Sequence, residues 1–148
     1  MNLKKALKIE AIAAELKATT KDGVIENLVD MLVSAGKIKD RLEALRAVLE
    51  REKKMSTGMQ SGIAIPHGKT DSVDELVAAF GIKHAGVEFD SLDGLPARIF
   101  VMTLCPTTRT GPHIQFLAEI SRQLNDPMIR ERLLQATSAE EILNILAG

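Results

Sequence analysis

Arg98 to Cys105 reads Arg-Ile-Phe-Val-Met-Thr-Leu-Cys, a nearly continuous apolar run broken only near its end. Such a run suits a strand covered on both faces, because a strand with one wet face alternates polar and apolar residues. The segments around it carry helical periodicity. Ile25, Leu28, Val29, Leu32 and Val33 recur at helical spacing, with Asp22 able to cap the start and Gly36 placed to stop it. Asp40 opens a second helix, with Glu43 three residues later as in a capping box. Leu42, Leu45, Val48 and Leu49 are its expected buried stripe, which ends in the charged Arg51-Glu52-Lys53-Lys54.

Pro106 ends the strand, Thr107 to Gly111 is a polar loop, and Pro112 suits a first helical position. Ile114, Leu117, Ala118, Ser121 and Leu124 continue that helix. Asp126-Pro127 stops it and starts another, and Ser138 with Glu141 opens the last, docked by Ile142, Ile145 and Leu146. Val77 to Ile82 reads as a second strand, and Gly86 to Leu95 as turns, with Asp93-Gly94 a tight one. Met1 to Thr20 is weakly patterned and expected to cover an edge as a short helix or strand. The sum is one α/β unit of 148 residues, with helices on both faces of one sheet and no repeat or linker.

The net charge of −1 argues against capture by nucleic acid or anionic lipid. Without Trp or Tyr, base-stacking platforms are also poorly supplied. The single Cys105 fits a reducing compartment. Leu3 to Leu16 is interrupted by Lys4, Lys5, Lys8, Glu10 and Glu15, so it reads as neither a signal peptide nor a membrane span. A cytoplasmic protein is expected.

Chemistry concentrates in Ser56 to Thr70, where glycines at 58, 62 and 68 bracket Ile63-Ala64-Ile65-Pro66-His67. Three apolar residues before a proline read as a short strand breaking into a turn. That turn presents an imidazole. Gly68-Lys69-Thr70 ends like a phosphate-binding P-loop, yet five residues rather than four separate Gly62 from Gly68, and Pro66 removes an amide donor. His67, His84, His113 and Cys105 could supply four metal ligands, but no pair has metal-ligand spacing. No Gly-x-Ser-x-Gly elbow supports a serine hydrolase. His84, in Lys-His-Ala-Gly, reads as a surface residue.

A histidine nucleophile remains. Neutral imidazole is nucleophilic, and its ordinary pKa of about 6.5 leaves it mostly neutral in a cytoplasm. To take a phosphoryl group, one ring nitrogen must be oriented and cationic or amide donors must meet the phosphate oxygens. Arg51 offers a guanidinium fork just before the glycine stretch. His113 lies near a helix start, where free N–H groups and the dipole attract anions.

Ser56-Thr57-Gly58 followed by Gly62-Ile-Ala-Ile-Pro-His-Gly68 resembles the phosphorylation-site signature of the enzyme IIA (EIIA) domains of the fructose–mannitol class. These belong to the phosphoenolpyruvate-dependent sugar phosphotransferase system. The resemblance runs along nearly the whole chain, through Thr19-Thr20-Lys21, Arg51-Glu52, Asp93-Gly94, the 98–105 strand, His113-Ile-Gln-Phe-Leu-Ala and Thr137-Ser-Ala-Glu-Glu-Ile142. It implies a single mixed β-sheet flanked by helices. It implies that His67 takes phosphate through Nε2 from the phosphocarrier protein HPr and passes it to an enzyme IIB (EIIB), touching the membrane only through the transporter. It implies His113 as the residue that orients the ring or the phosphate, Arg51 as the phosphate-stabilising cation, and neither metal nor cofactor. Gly62 and Gly68 are then expected to leave room for a partner to approach. Many members have Gly-Asn where this chain has Gln60-Ser61. The rival expectation, from the nitrogen-related branch, is a regulatory protein whose phosphorylated histidine switches protein docking, since phosphate adds about −1.5 to −2 charge. A degenerate domain that takes no phosphate fits poorly with the presence of both His67 and His113.

Overall fold

The computed structural model describes residues 3–147. Eleven elements follow one another: α1 (Leu3–Ala6), β1 (Leu7–Ala13), α2 (Lys21–Ser34), α3 (Arg41–Lys54), β2 (Ile63–Ala64), β3 (His67–Lys69), β4 (Val77–Val87), β5 (Ala97–Cys105), α4 (Gly111–Leu124), α5 (Pro127–Gln135) and α6 (Ala139–Ala147). The strands form one mixed sheet in the order β1-β4-β5-β2, with β3 also pairing to β5. Only β4 and β5 run antiparallel to each other; β1 joins β4 and both short strands join β5 in parallel.

The apolar run of β5 explains this arrangement. Eight of its nine residues are buried, and alternate side chains enter two separate cores. Phe100, Met102 and Leu104 pack with Val24, Ile25, Leu28 and Val48 of α2 and α3. Ile99 and Val101 pack with Phe116, Ile120, Leu133 and Ile142 of α4, α5 and α6. The sheet therefore carries helices on both faces, as expected. The N-terminal segment covers an edge as expected, with α1 leading into edge strand β1; Met1 and Asn2 of that reading lie outside the described residues.

Four local readings change. Thr20, not Asp22, caps α2, its side chain accepting from the Gly23 amide, while Asp22 sits in the first turn. Leu42 is 65% exposed; of the expected stripe Val48 is buried and Leu45 and Leu49 are partly buried, and α3 also buries Ala44 and Glu52. The inner face of α3 thus ends on a carboxylate. On α4 the buried line is His113, Phe116, Ile120 and Leu124, and Ile114 points outward. The strand read as 77–82 continues to Val87 and so includes His84.

Candidate phosphoryl-transfer site

His67 opens β3, directly after Pro66 interrupts the edge strand. In register, His67 lies beside Thr103 and Lys69 beside Cys105 of β5. Gly68 between them faces the other way, where a Cβ would stand 3.1 Å from the Ala47 and Val48 backbone of α3. A side chain here would push the α3 backbone back by a few tenths of an ångström, so the glycine lets α3 seat directly on β3, with His67 facing α4. Gly68 thus has a structural reason different from the expected one: it is buried under a helix rather than clearing space for a visitor. Gly62 serves a turn, at a φ of 76°.

The His67 ring is half-buried, and its Nδ1 lies 3.0 Å from the Ile65 carbonyl oxygen. A carbonyl can only accept, so Nδ1 is the donor here, and in the neutral ring that leaves the lone pair on Nε2. This is the tautomer that an Nε2 nucleophile requires.

Around that ring is a hollow of about 840 Å³ lined by Arg51, Ser56, Thr57, Ile63, Ile65 and Leu117 among others. Arg51 reaches it from the last turn of α3, with Nη1 donating to the Met55 carbonyl at 2.9 Å. Met55, Met59 and Leu92 also line it and are exposed at 71%, 41% and 78%.

His113 meets His67 edge to face, with ring centroids 5.5 Å apart and planes at 63°. Its residue is only 5% exposed, and both ring nitrogens have partners from β5. Nε2 is 2.7 Å from Thr103 Oγ1, and Nδ1 is 3.4 Å from Cys105 Sγ. Burial first, then the charges of His67 and Lys69, push its pKa down to about 4. His113 is therefore a neutral ring at neutral pH. Burial likewise raises the Cys105 thiol, which stays protonated.

The structure thus brings His67 and His113 together, with Arg51 on the wall of the same hollow, and separates His84. His84 binds Glu15 Oε1 through Nδ1 at 2.6 Å and the Leu134 carbonyl through Nε2 at 2.8 Å, on the outer end of β4. Among the described residues no three His, Cys, Asp or Glu side chains converge as a metal site. The false P-loop is resolved too, since Gly68 lies in a strand beneath α3.

The sequence offers no reading of Thr103 and weighs Cys105 only as a metal ligand, yet both hold the His113 ring. Their signal is present: two polar or polarisable residues at i and i+2 near the end of an apolar strand share one face.

A family model described as "Phosphoenolpyruvate-dependent sugar phosphotransferase system, EIIA 2" matches residues 5–148. The chain belongs to that EIIA family. A relative in Haloferax volcanii, named a PTS system fructose-specific EIIA component, is 42% identical over 139 residues, covering 94% of this chain and 90% of its own. The crystal structure of the nitrogen regulatory protein IIA-Ntr from Neisseria meningitidis superposes with a TM-score of 0.90 at 29% identity, covering 97% of this chain and 98% of that one. The mannitol EIIA of Escherichia coli, solved in complex with phosphorylated mannitol EIIB, superposes at 0.79 with 32% identity, covering 94% and 95%. EIIA proteins of this family take part in phosphotransfer, and the fold is that of mannitol EIIA. Among the described residues no helix is long and apolar enough to cross a membrane.

Proposed function

We propose that this protein is a cytoplasmic phosphocarrier that accepts a phosphoryl group on His67 from a phosphorylated HPr-type protein and hands it to the EIIB of a sugar transporter. The observation that carries this reading is the Nδ1–H bond from His67 to the Ile65 carbonyl, which in the neutral ring puts the lone pair on Nε2. In the forward step the Nε2 lone pair forms the new N–P bond as the P–N bond of the donor phosphohistidine breaks. The leaving imidazole keeps that electron pair, and the proton on His67 Nδ1 stays in place. Arg51 supplies cationic charge beside the transferred group, and His113, being neutral, adds no charge of its own. The exposed Met55, Met59 and Leu92 give the hollow an apolar rim of the kind that seats a protein partner.

The test is transfer of labelled phosphate from phospho-HPr. Wild type takes label and His67→Ala takes none; label retained by His67→Ala overturns the assignment. Passage of label onward to a candidate EIIB then decides the acceptor, and the Haloferax relative makes the EIIB of a fructose transporter the first to try. The close superposition on a nitrogen regulatory protein favours a second reading, in which phospho-His67 switches the docking of a regulated protein. Label taken up from phospho-HPr but passed to no EIIB supports that reading over transport.

A further inference from the structure

The last turn of α3 buries a carboxylate that the transfer step does not use. Glu52 is 6% exposed, and each of its oxygens holds one donor of Thr57. Oε2 accepts from the Thr57 amide at 2.7 Å and Oε1 from the Thr57 hydroxyl at 2.6 Å. Lys21, from the first turn of α2, places Nζ 3.0 Å from Oε2. The same ammonium lies 4.9 Å from the centroid of the Phe89 ring and bonds Asp90 Oδ2 at 3.3 Å. A carboxylate fork on two donors of one residue fixes that residue in rotation as well as in position.

Thr57 is where this anchor meets the nucleophile. Its carbonyl accepts the Ile65 amide at 3.2 Å, and Gly58 bridges Ala64 beside it. The Ile65 carbonyl in turn accepts from His67 Nδ1 at 3.0 Å. An unbroken series therefore runs Lys21, Glu52, Thr57, Ile65, His67. Buried ion pairs often contribute little net stability against an apolar replacement. A geometric role for this one accounts for a charge on the inner face of α3.

We infer that Glu52, with Lys21 as its counter-ion, is a positioning residue for His67, acting through Thr57 and the Ile65 carbonyl to hold the ring in its Nδ1–H tautomer. Without the anchor, Thr57 is released, Ile65 loses the partner of its amide, and its carbonyl is no longer aimed at Nδ1. The ring then shifts toward the Nε2–H tautomer, whose protonated nitrogen cannot attack phosphorus. This inference rests on His67 being the phosphoryl acceptor only in its second arm.

The first arm uses the unphosphorylated protein with ¹⁵N-labelled histidine and reads the His67 tautomer by NMR above pH 8. Wild type and Thr57→Ser show the Nδ1–H pattern, whereas Thr57→Val and Glu52→Gln show a substantial Nε2–H population. The second arm measures transfer from phospho-HPr. Thr57→Val lowers the rate at saturating donor by about 10–100-fold, with the half-saturating donor concentration unchanged, and Thr57→Ser restores it. A folded Thr57→Val with the wild-type tautomer overturns the inference, and so does a loss of rate that Thr57→Ser fails to restore. Should Glu52→Gln fail to fold, the two Thr57 variants still decide. If wild type itself takes no phosphate from phospho-HPr, the function proposed above falls and the tautomer arm alone judges the anchor.

Discussion

Thr103 Oγ1 sits 2.7 Å from Nε2 of His113, so the second histidine of the site is held by the β5 residue paired with His67 rather than by His67 itself. The helix α4 delivers the ring, and β5 receives both nitrogens, one on Thr103 and the other on Cys105. Whichever nitrogen carries the proton, the ring's angle to His67 depends on this pair of contacts.

Thr103→Val keeps the volume and removes the hydroxyl. It leaves one buried imidazole nitrogen without a partner, at a cost of about 1–3 kcal/mol. The expected outcome is a slower transfer rate at saturating phospho-HPr, an altered ¹⁵N shift of His113, and recovery of both in Thr103→Ser. His113→Ala should slow transfer more than it lowers stability. Unchanged transfer beside a large drop in the urea midpoint would make His113 structural.

The low pKa of His113 has a thermodynamic consequence with a definite sign. Folded, the ring holds its proton only below about 4; unfolded, it takes one below about 6.5. Between those values the unfolded state binds more protons, so stability falls as pH falls through that window. The full loss is about 3 kcal/mol. Urea unfolding at pH 7 and pH 4.5 should show a steeper loss in wild type than in His113→Asn, which cannot titrate there. Equal losses would show that the ring is not protected from protonation.

The architecture was legible in the sequence because it rests on patterns that propagate. The β5 apolar run could only be met by helices on both faces, and Asp40 with Glu43 and Ser138 with Glu141 mark helix starts that the structure keeps. Burial within a helix was less legible, because a stripe one residue out of phase still looks periodic. Leu42 and Ile114 fit the pattern and face water, while Glu52 continues the Ala44–Val48 line and is buried. His67 stood out through Pro66 and its glycines, but what orients it did not. The Ile65 carbonyl carries no side-chain signature, and Thr103 meets His113 only because a strand and a helix start converge in space.

His84 is a structural pin, and its pH dependence opposes that of His113. Its two ring nitrogens both face acceptors, so the imidazolium satisfies them best. The hydrogen bond to Glu15 and then the Leu134 carbonyl raise its pKa, against the Arg98 charge. Arg98 Nε also binds the His84 carbonyl, and Lys83 Nζ lies 3.5 Å from Glu15 Oε2. A raised folded pKa means stabilisation that is full below about 6.5 and lost as pH rises through the folded value. The Glu15 pKa is lowered, chiefly by the His84 bond, so its share is full above its ordinary 4.5 and lost as pH falls through the folded value. At 43% and 50% side-chain exposure the coupling is about 0.2–1 kcal/mol. A His84→Ala and Glu15→Ala double-mutant cycle should return that coupling near pH 5.5 and a smaller one at pH 9; the reverse order would contradict the geometry.

Ser61, in the Gln60-Ser61 pair, holds a backbone conformation that costs a serine more than an asparagine. Ser61 has φ of 64° and Gly62 has 76°, two successive left-handed residues that return the chain from the glycine loop into β2. Asparagine tolerates that region better than serine, and Asn-Gly is the favoured pair for such a turn. The Ser61 amide is bound by Asp93 Oδ2 at 3.1 Å, a contact that a side-chain change leaves intact. Ser61→Asn is therefore expected to raise stability by about 0.5 kcal/mol, and Ser61→Val to lower it by about 1 kcal/mol or more, since a branched side chain is badly strained at positive φ. Urea midpoints of the two variants against wild type check the order. Ser61→Val at or above wild-type stability would mean that the turn is not held left-handed at this residue.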